Sequence, residues 1–137
     1  MALTHLVDTS VLTRLRTPAV RAVLEPLTAA GRIARAGISD LELGYPARTA
    51  EEWDAVHEAS NVFTLIETEG RHFKRARQVQ RVLASRSQRG RKIPDLLIAA
   101  AAEEAELIVL HYDADFDRIA AATGQPCQWV VPPGSID

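Results

Sequence analysis

Ile93-Pro-Asp-Leu-Leu-Ile-Ala-Ala-Ala-Ala-Glu-Glu-Ala-Glu-Leu-Ile-Val-Leu-His-Tyr-Asp-Ala-Asp-Phe-Asp117 passes from a helix start through a strand into a second helix start. Pro94 fixes a first helical turn, and the Ala-rich run behind it predicts a helix over Pro94–Glu106. That helix feeds Leu107–Tyr112, an apolar block of strand length. Asp113 stands just past the strand, with Asp115 and Asp117 where the next helix begins. Helix–strand units of this kind build α/β folds, in which residues beyond the carboxyl ends of parallel strands converge on one crevice.

The remainder of the chain repeats the pattern. Leu3–Val7 reads as a buried strand closed by Asp8, with Val11, Leu12 and Leu15 starting a helix at once. Pro18 opens a second helix with an apolar face of Val20, Val23, Leu24 and Leu27, ended by Gly31. Ile33–Ile38 is a short strand despite Arg32 and Arg35, and Ser39-Asp-Leu-Glu42 matches a capping box with Ser39 at the N-cap and Glu42 at N3. Thr49–Ala59 predicts a helix with an acidic first turn, and Val62–Ile66 a strand. A long helix follows from Glu69 to Ala84, with Phe73, Ala76, Val79, Val82 and Leu83 inward and its basic residues outward. Ser85–Lys92 is polar, basic and contains Gly, so it reads as a loop. Asp115–Ala122 is a short helix stopped by Gly124, and Gln128–Val131 a last strand. Alternating strands and helices predict a central, mainly parallel sheet in a three-layer α/β/α sandwich, with residues 1–137 as one domain.

Composition narrows the chemistry. Apolar residues make up 47% of the chain, with no secretory core region and no long uninterrupted apolar run, so a soluble, cytoplasmic protein without a membrane partner is expected. The lone Cys127 excludes an intrachain disulfide or a Cys-rich zinc site and is expected to pack as a small hydrophobe. His5, His57, His72 and His111 lack ligand spacing, and only His111 is placed to serve a histidine acid–base ribonuclease. The net charge of −2 hides an asymmetry. Nine of the sixteen basic residues lie between Arg71 and Lys92, where there is no Asp or Glu; the rest carries seven basic residues against eighteen acidic ones, a net of −11. Such a strip beside an acidic body fits a polyanion, and fits a solvated helix face equally well.

Four acids are singled out: Asp8, Glu42, Asp95 and Asp113. Each sits where a strand ends or a helix begins. Three of them also have a local explanation: Asp8 as an N-cap, Glu42 in the capping box and Asp95 in a first helical turn; Asp115 has one too, as an N-cap or first-turn residue. Gathered in one crevice they would repel unless a cation neutralised them, and oxygen-only ligands suit Mg²⁺ or Mn²⁺. That is the chemistry of phosphodiester cleavage by metal-activated water. The Asp113-x-Asp-x-Asp117 run is not an EF-hand loop, because Arg118 stands where that loop needs Gly and Gly124 where it needs Glu.

Leu-Val-Asp8-Thr-Ser, Ser39-x-x-Glu42-Leu, Ile93-Pro-Asp95-x-Leu-Ile-Ala and His111-Tyr-Asp113-Ala-Asp115-Phe-Asp, in that order, resemble PIN-domain ribonucleases, specifically the toxins of VapBC-type toxin–antitoxin pairs. The resemblance covers essentially the whole chain. It implies a PIN-like sandwich, endonucleolytic RNA cleavage with Mg²⁺ or Mn²⁺, a homodimer, and a cognate antitoxin partner that blocks the acidic pocket. It carries the family's acidic residues over to Asp8, Glu42, Asp95 and Asp113, with Asp115 as an auxiliary ligand. RNA contacts are expected from Arg86, Arg89, Arg91 and Lys92. One departure is His111, where a small hydroxyl residue usually stands. A non-catalytic PIN-like module that binds RNA or protein is the alternative. A phosphotransfer domain is disfavoured, since Asp8-Thr-Ser10 lacks a second Asp and no late strand-end Lys follows.

Overall fold

The structure, a computed structural model, describes residues 2–88 and 92–137. Its strands are β1 (His5–Val7), β2 (Ile33–Ala36), β3 (Thr64–Ile66), β4 (Ile108–His111) and β5 (Cys127–Trp129). They form one sheet in the order β3-β2-β1-β4-β5, with every neighbouring pair parallel. The helices are α1 (Thr9–Leu12), α2 (Pro18–Ala29), α3 (Gly37–Gly44), α4 (Ala50–Glu58), α5 (Gly70–Ser85), α6 (Ile93–Glu104) and α7 (Asp115–Thr123), with a 3₁₀ turn at Ala59–Val62.

Side-chain alternation along the strands assigns the two faces. Leu6, Ala34, Ala36 and Val109 pack with Ala76, Val79 and Leu83 of α5, Leu97 and Ile98 of α6, and Phe116 and Ile119 of α7. Val7, Ile33 and Leu110 pack on the other side with Val11 and Leu12 of α1, Val20 and Leu24 of α2, and Phe63. Both faces are thus covered, which is why the central strands are apolar at nearly every position. Chain order runs outward from β1 through β2 to β3, then from β4 to β5 on the other side, so the topological switch falls between β1 and β4. The register sets Val7 beside Leu110, and the Asp8 amide donates to the Leu110 carbonyl at 2.9 Å.

Three local expectations are corrected. The helix carrying Glu42 starts at Gly37, directly after β2, so Ser39 is not its N-cap and no capping box forms. Its early start is held by a distant group, the Thr68 hydroxyl, which accepts from the Ile38 amide at 3.0 Å. A Cβ at Gly37 would lie 3.2 Å from the Thr68 nitrogen, so glycine permits this approach. In α5, Phe73 is exposed and His72 buried instead, because His72 accepts from the Glu69 amide at 3.0 Å and reaches Glu104 of α6. The expected loop begins one residue later than read, since Ser85 ends α5. Arg35 stays within its strand because its buried guanidinium meets Asp40 at 2.9 Å and the carbonyls of Ser60 and Phe63. Gly124, at φ +77°, ends α7 as its sequence position implies.

Candidate active site

Asp8 is the first residue after β1 and is 2% exposed. Its extended backbone makes it the N-cap of α1, with Oδ2 accepting from the Ser10 amide at 2.9 Å. Its Oδ1 is buried without a hydrogen-bond partner among the described residues. The capping role and a ligand role are therefore divided between two oxygens. Burial raises the Asp8 pKa, hydrogen bonding with Ser10 opposes that rise, and the charge of Glu42 adds to it. Ser10 also ties the two central loops together, its hydroxyl accepting from the Tyr112 amide at 2.9 Å.

Asp95 lies in the first turn of α6, 4% exposed, with a buried Oδ2 that has no partner. A helix N-terminus favours an anion there. Burial, and then the charges of Asp8 and Asp113, win over it and push the pKa up to about 8. Asp113, beyond β4, behaves differently. Burial pushes its carboxyl up, but hydrogen bonds from Lys92 and the Asp115 amide outweigh this and hold it below the usual carboxylate range. Its Oδ1 accepts from the Asp115 amide at 2.9 Å and its Oδ2 from Lys92 Nζ at 2.8 Å.

Asp95, Asp113 and Asp115 each offer a carboxylate oxygen, and these three oxygens lie within 4.8 Å of one another. Asp8 and Glu42 do not join that group; Asp8 borders it, as its effect on Asp95 shows. Glu42 is held one residue further along the same loop. The Thr9 hydroxyl donates to its Oε1 at 2.6 Å and lies 2.9 Å from the Ser39 hydroxyl, which supplies the proton of that second bond. Thr9 is a residue that sequence reasoning missed. Its partners lie 30 and 33 positions away, with no local signal to find them.

His111 is fully buried, stacked on Phe116 with ring centroids 4.9 Å apart and tilted against Trp129 at the same distance. Burial brings its pKa down to about 4, so the ring is neutral near pH 7. Its Nδ1 accepts from the Asp113 amide at 3.2 Å, which places the ring proton on Nε2, a buried atom with no partner. His111 thus positions the backbone of Asp113 and has no open route to a substrate.

Of the expected RNA contacts, Arg89 and Arg91 lie outside the described residues. Arg86 is exposed and directs Nη1 to the Ala121 carbonyl of α7 at 3.4 Å. Lys92 is engaged with Asp113. On α5, Arg71 pairs with Glu69 and Glu104, and Arg75 with Glu103 at 2.6 Å, so part of the basic strip bonds α5 to α6. Lys74, Arg77 and Arg81 are exposed without an ion pair among the described residues.

Three clustered carboxylates and two buried, unpartnered carboxylate oxygens suit a hard divalent cation such as Mg²⁺ or Mn²⁺, and offer no nitrogen or sulfur donor to favour a softer one. A family model described as PIN domain matches residues 5–122. The chain belongs to the PIN-domain family. This PIN domain is 63% identical over 137 residues to Ribonuclease VapC51 of Mycobacterium tuberculosis (strain ATCC 25618 / H37Rv), covering 100% of both chains. It is 43% identical to Ribonuclease VapC21 of the same strain, over 98% of this chain and 99% of the relative. Its fold matches a chain in the crystal structure of DNA-bound VapBC from Salmonella typhimurium, with TM-score 0.77 and 20% identity over 94% of this PIN domain and 99% of that chain. FitAcB from Neisseria gonorrhoeae matches with TM-score 0.72 and 18% identity, over 93% and 98%.

Proposed function

We propose that this PIN domain is a divalent-metal-dependent endoribonuclease acting as the toxin of a toxin–antitoxin pair. The observation that carries the reading is the group of Asp95, Asp113 and Asp115, with oxygens within 4.8 Å, beside the unpartnered oxygens of Asp8 and Asp95. Asp8, Asp95 and Asp113 would hold Mg²⁺ or Mn²⁺, with Asp115 in support. When bound, the ion supplies an acidified water and positive charge for the phosphoryl oxygens. Glu42, fixed by the Thr9 hydroxyl, orients the water on the side of the site facing α3. Arg77, Arg81 and Arg86 guide the RNA backbone, a contact that gives affinity without base specificity.

The names of the relatives support the ribonuclease reading, and the complexes among the structural neighbours support an antitoxin partner. A groove of about 500 Å³, lined by Leu12, Leu15, Leu43 and Val56 together with Arg14, Arg16 and Glu42, suits an antitoxin segment that joins apolar to acidic side chains and covers the site. The exposed Leu41, Tyr45 and Trp53 form the face for a second copy.

The test is incubation of purified, antitoxin-free protein with total RNA, with and without Mg²⁺ or Mn²⁺, beside Asp95→Asn. Cleavage is expected only with metal, falling at least about 100-fold in the folded variant, since one ligand and its charge are removed. An active, folded Asp95→Asn protein overturns the assignment. RNA binding without cleavage or metal uptake would favour the non-catalytic module.

A further inference from the structure

Lys92 is the last residue before α6 and shares that helix's first turn with Asp95. Its side chain is 61% exposed, yet its Nζ lies 2.8 Å from Asp113 Oδ2. The other oxygen of Asp113 is taken by the Asp115 amide at 2.9 Å. Among the described residues, the ammonium therefore sits on the Asp113 oxygen that no backbone amide bonds. Asp113 is also one of the three residues, with Asp95 and Asp115, whose carboxylate oxygens lie within 4.8 Å of one another.

Without a counter-charge, three carboxylates at that separation repel one another. A surface ion pair stabilises little by itself. Its importance here is exclusion, because an ammonium and a divalent ion on one oxygen repel. The contest is open to the divalent ion for two reasons. Lys92 carries a single charge on a flexible stem, and most of its side chain is already in water, so release costs little.

We propose that Lys92 is a tethered placeholder cation, which holds Asp113 Oδ2 until a divalent metal displaces it and which then lies free on the first turn of α6 to meet a phosphate. This rests on the metal-dependent reading above. It gives Lys92 two successive partners, the carboxylate before metal entry and the polyanion after it.

The test is calorimetric titration of Mn²⁺ into wild-type protein, Lys92→Met and Lys74→Met. Methionine keeps the length of the stem at an exposed position, and Lys74→Met removes the same charge from a site with no ion pair. Lys92→Met is expected to bind Mn²⁺ about fivefold more tightly, the effect of one unit charge removed from a half-solvated neighbour. Lys74→Met should match wild type. In chelator, Lys92→Met should melt below wild type and gain more in Tm when Mn²⁺ is added. Equal or weaker Mn²⁺ binding by folded Lys92→Met overturns the placeholder role while leaving the metal site standing. Equal tightening by Lys74→Met would reduce the effect to bulk charge and overturn it as well. If neither wild type nor Lys92→Met takes up Mn²⁺, the metal-dependent reading falls and the placeholder with it.

Discussion

Asp95 is pulled in two directions, an anion-favouring helix start against burial among other carboxylates, and the second pull sets its pKa at about 8. Between its ordinary value and that one, the folded metal-free chain holds a proton that the unfolded chain has lost. Stability must then fall as pH rises through this interval, because the folded state binds more protons. Asp8, raised in the same direction, adds to the slope. Asp95→Asn removes the Asp95 share of it. In chelator, thermal melts from about pH 5 to about pH 8 should show wild type losing stability while the variant changes less, with a gap on the order of 3 kcal/mol at the alkaline end. Parallel melting curves would show that Asp95 is ionised throughout. By the same sign, metal affinity should climb with pH up to about 8 and then level, as the proton that competes for Asp95 is lost.

The acids themselves are readable from sequence, since ending a strand or opening a helix is a local property that short apolar blocks reveal. Their environments are not. The Ser39–Glu42 pattern satisfies a capping box on paper, but Thr68 supplies the early cap from another loop, and Glu42 is released to meet Thr9. Lys92 likewise reads as one more basic residue of a strip until the fold sets it against Asp113.

At the level of elements, Arg35 is the clearest case of a residue that looks wrong in sequence and is necessary in the fold. A charged residue in a short apolar block argues against a central strand. Here the guanidinium joins β2 to Asp40 of α3 and to the carbonyls around the 3₁₀ turn, so the elements behind Glu42 are fixed together. Arg35→Met would strand those acceptors in a buried place. It should cost about 3 kcal/mol and lower the urea midpoint, with cleavage per folded molecule largely retained. A loss below about 1 kcal/mol would mean that water serves the acceptors as well as Arg35 does. The rotation of α5 has a similar cause. Periodicity places Phe73 inward, but His72, bonded to Glu69 and Glu104, takes the buried position and turns the aromatic ring to solvent.

Across the whole molecule, the division between an acidic body and a basic strip survives folding in reduced form. Arg71 and Arg75 are bound to the end of α6, and among the described residues of α5 the charge without an ion pair is that of Lys74, Arg77 and Arg81. These two groups should respond differently. Replacing Arg77 and Arg81 together with Gln should flatten the log–log salt dependence of RNA binding by about 1.4, from two phosphate contacts on a single strand. Arg75→Gln should leave that slope unchanged and lower Tm slightly, its ion pair being half-exposed. An unchanged slope in the double variant would remove α5 from the RNA path. Among the described residues no helix is long and apolar enough to cross a membrane. Cys127 is half-buried against the core, its thiol pushed up to about 11 by burial, in keeping with the inert packing role expected of it.

The placement of β1 beside β4 also bears on when, during synthesis, the acidic pocket comes together. Ser10 and Tyr112, 102 residues apart in sequence, share the hydrogen bond that links the two central loops, and Asp8 leans on the carbonyl of Leu110. A chain leaving the ribosome exposes β1 long before β4, which emerges only after α6 has been made. Through most of synthesis Asp8 and Glu42 therefore have no Asp113 to face. Translation withholds the acidic pocket until β4 and the turn after it have been made, and a product truncated before them lacks Asp113 and Asp115.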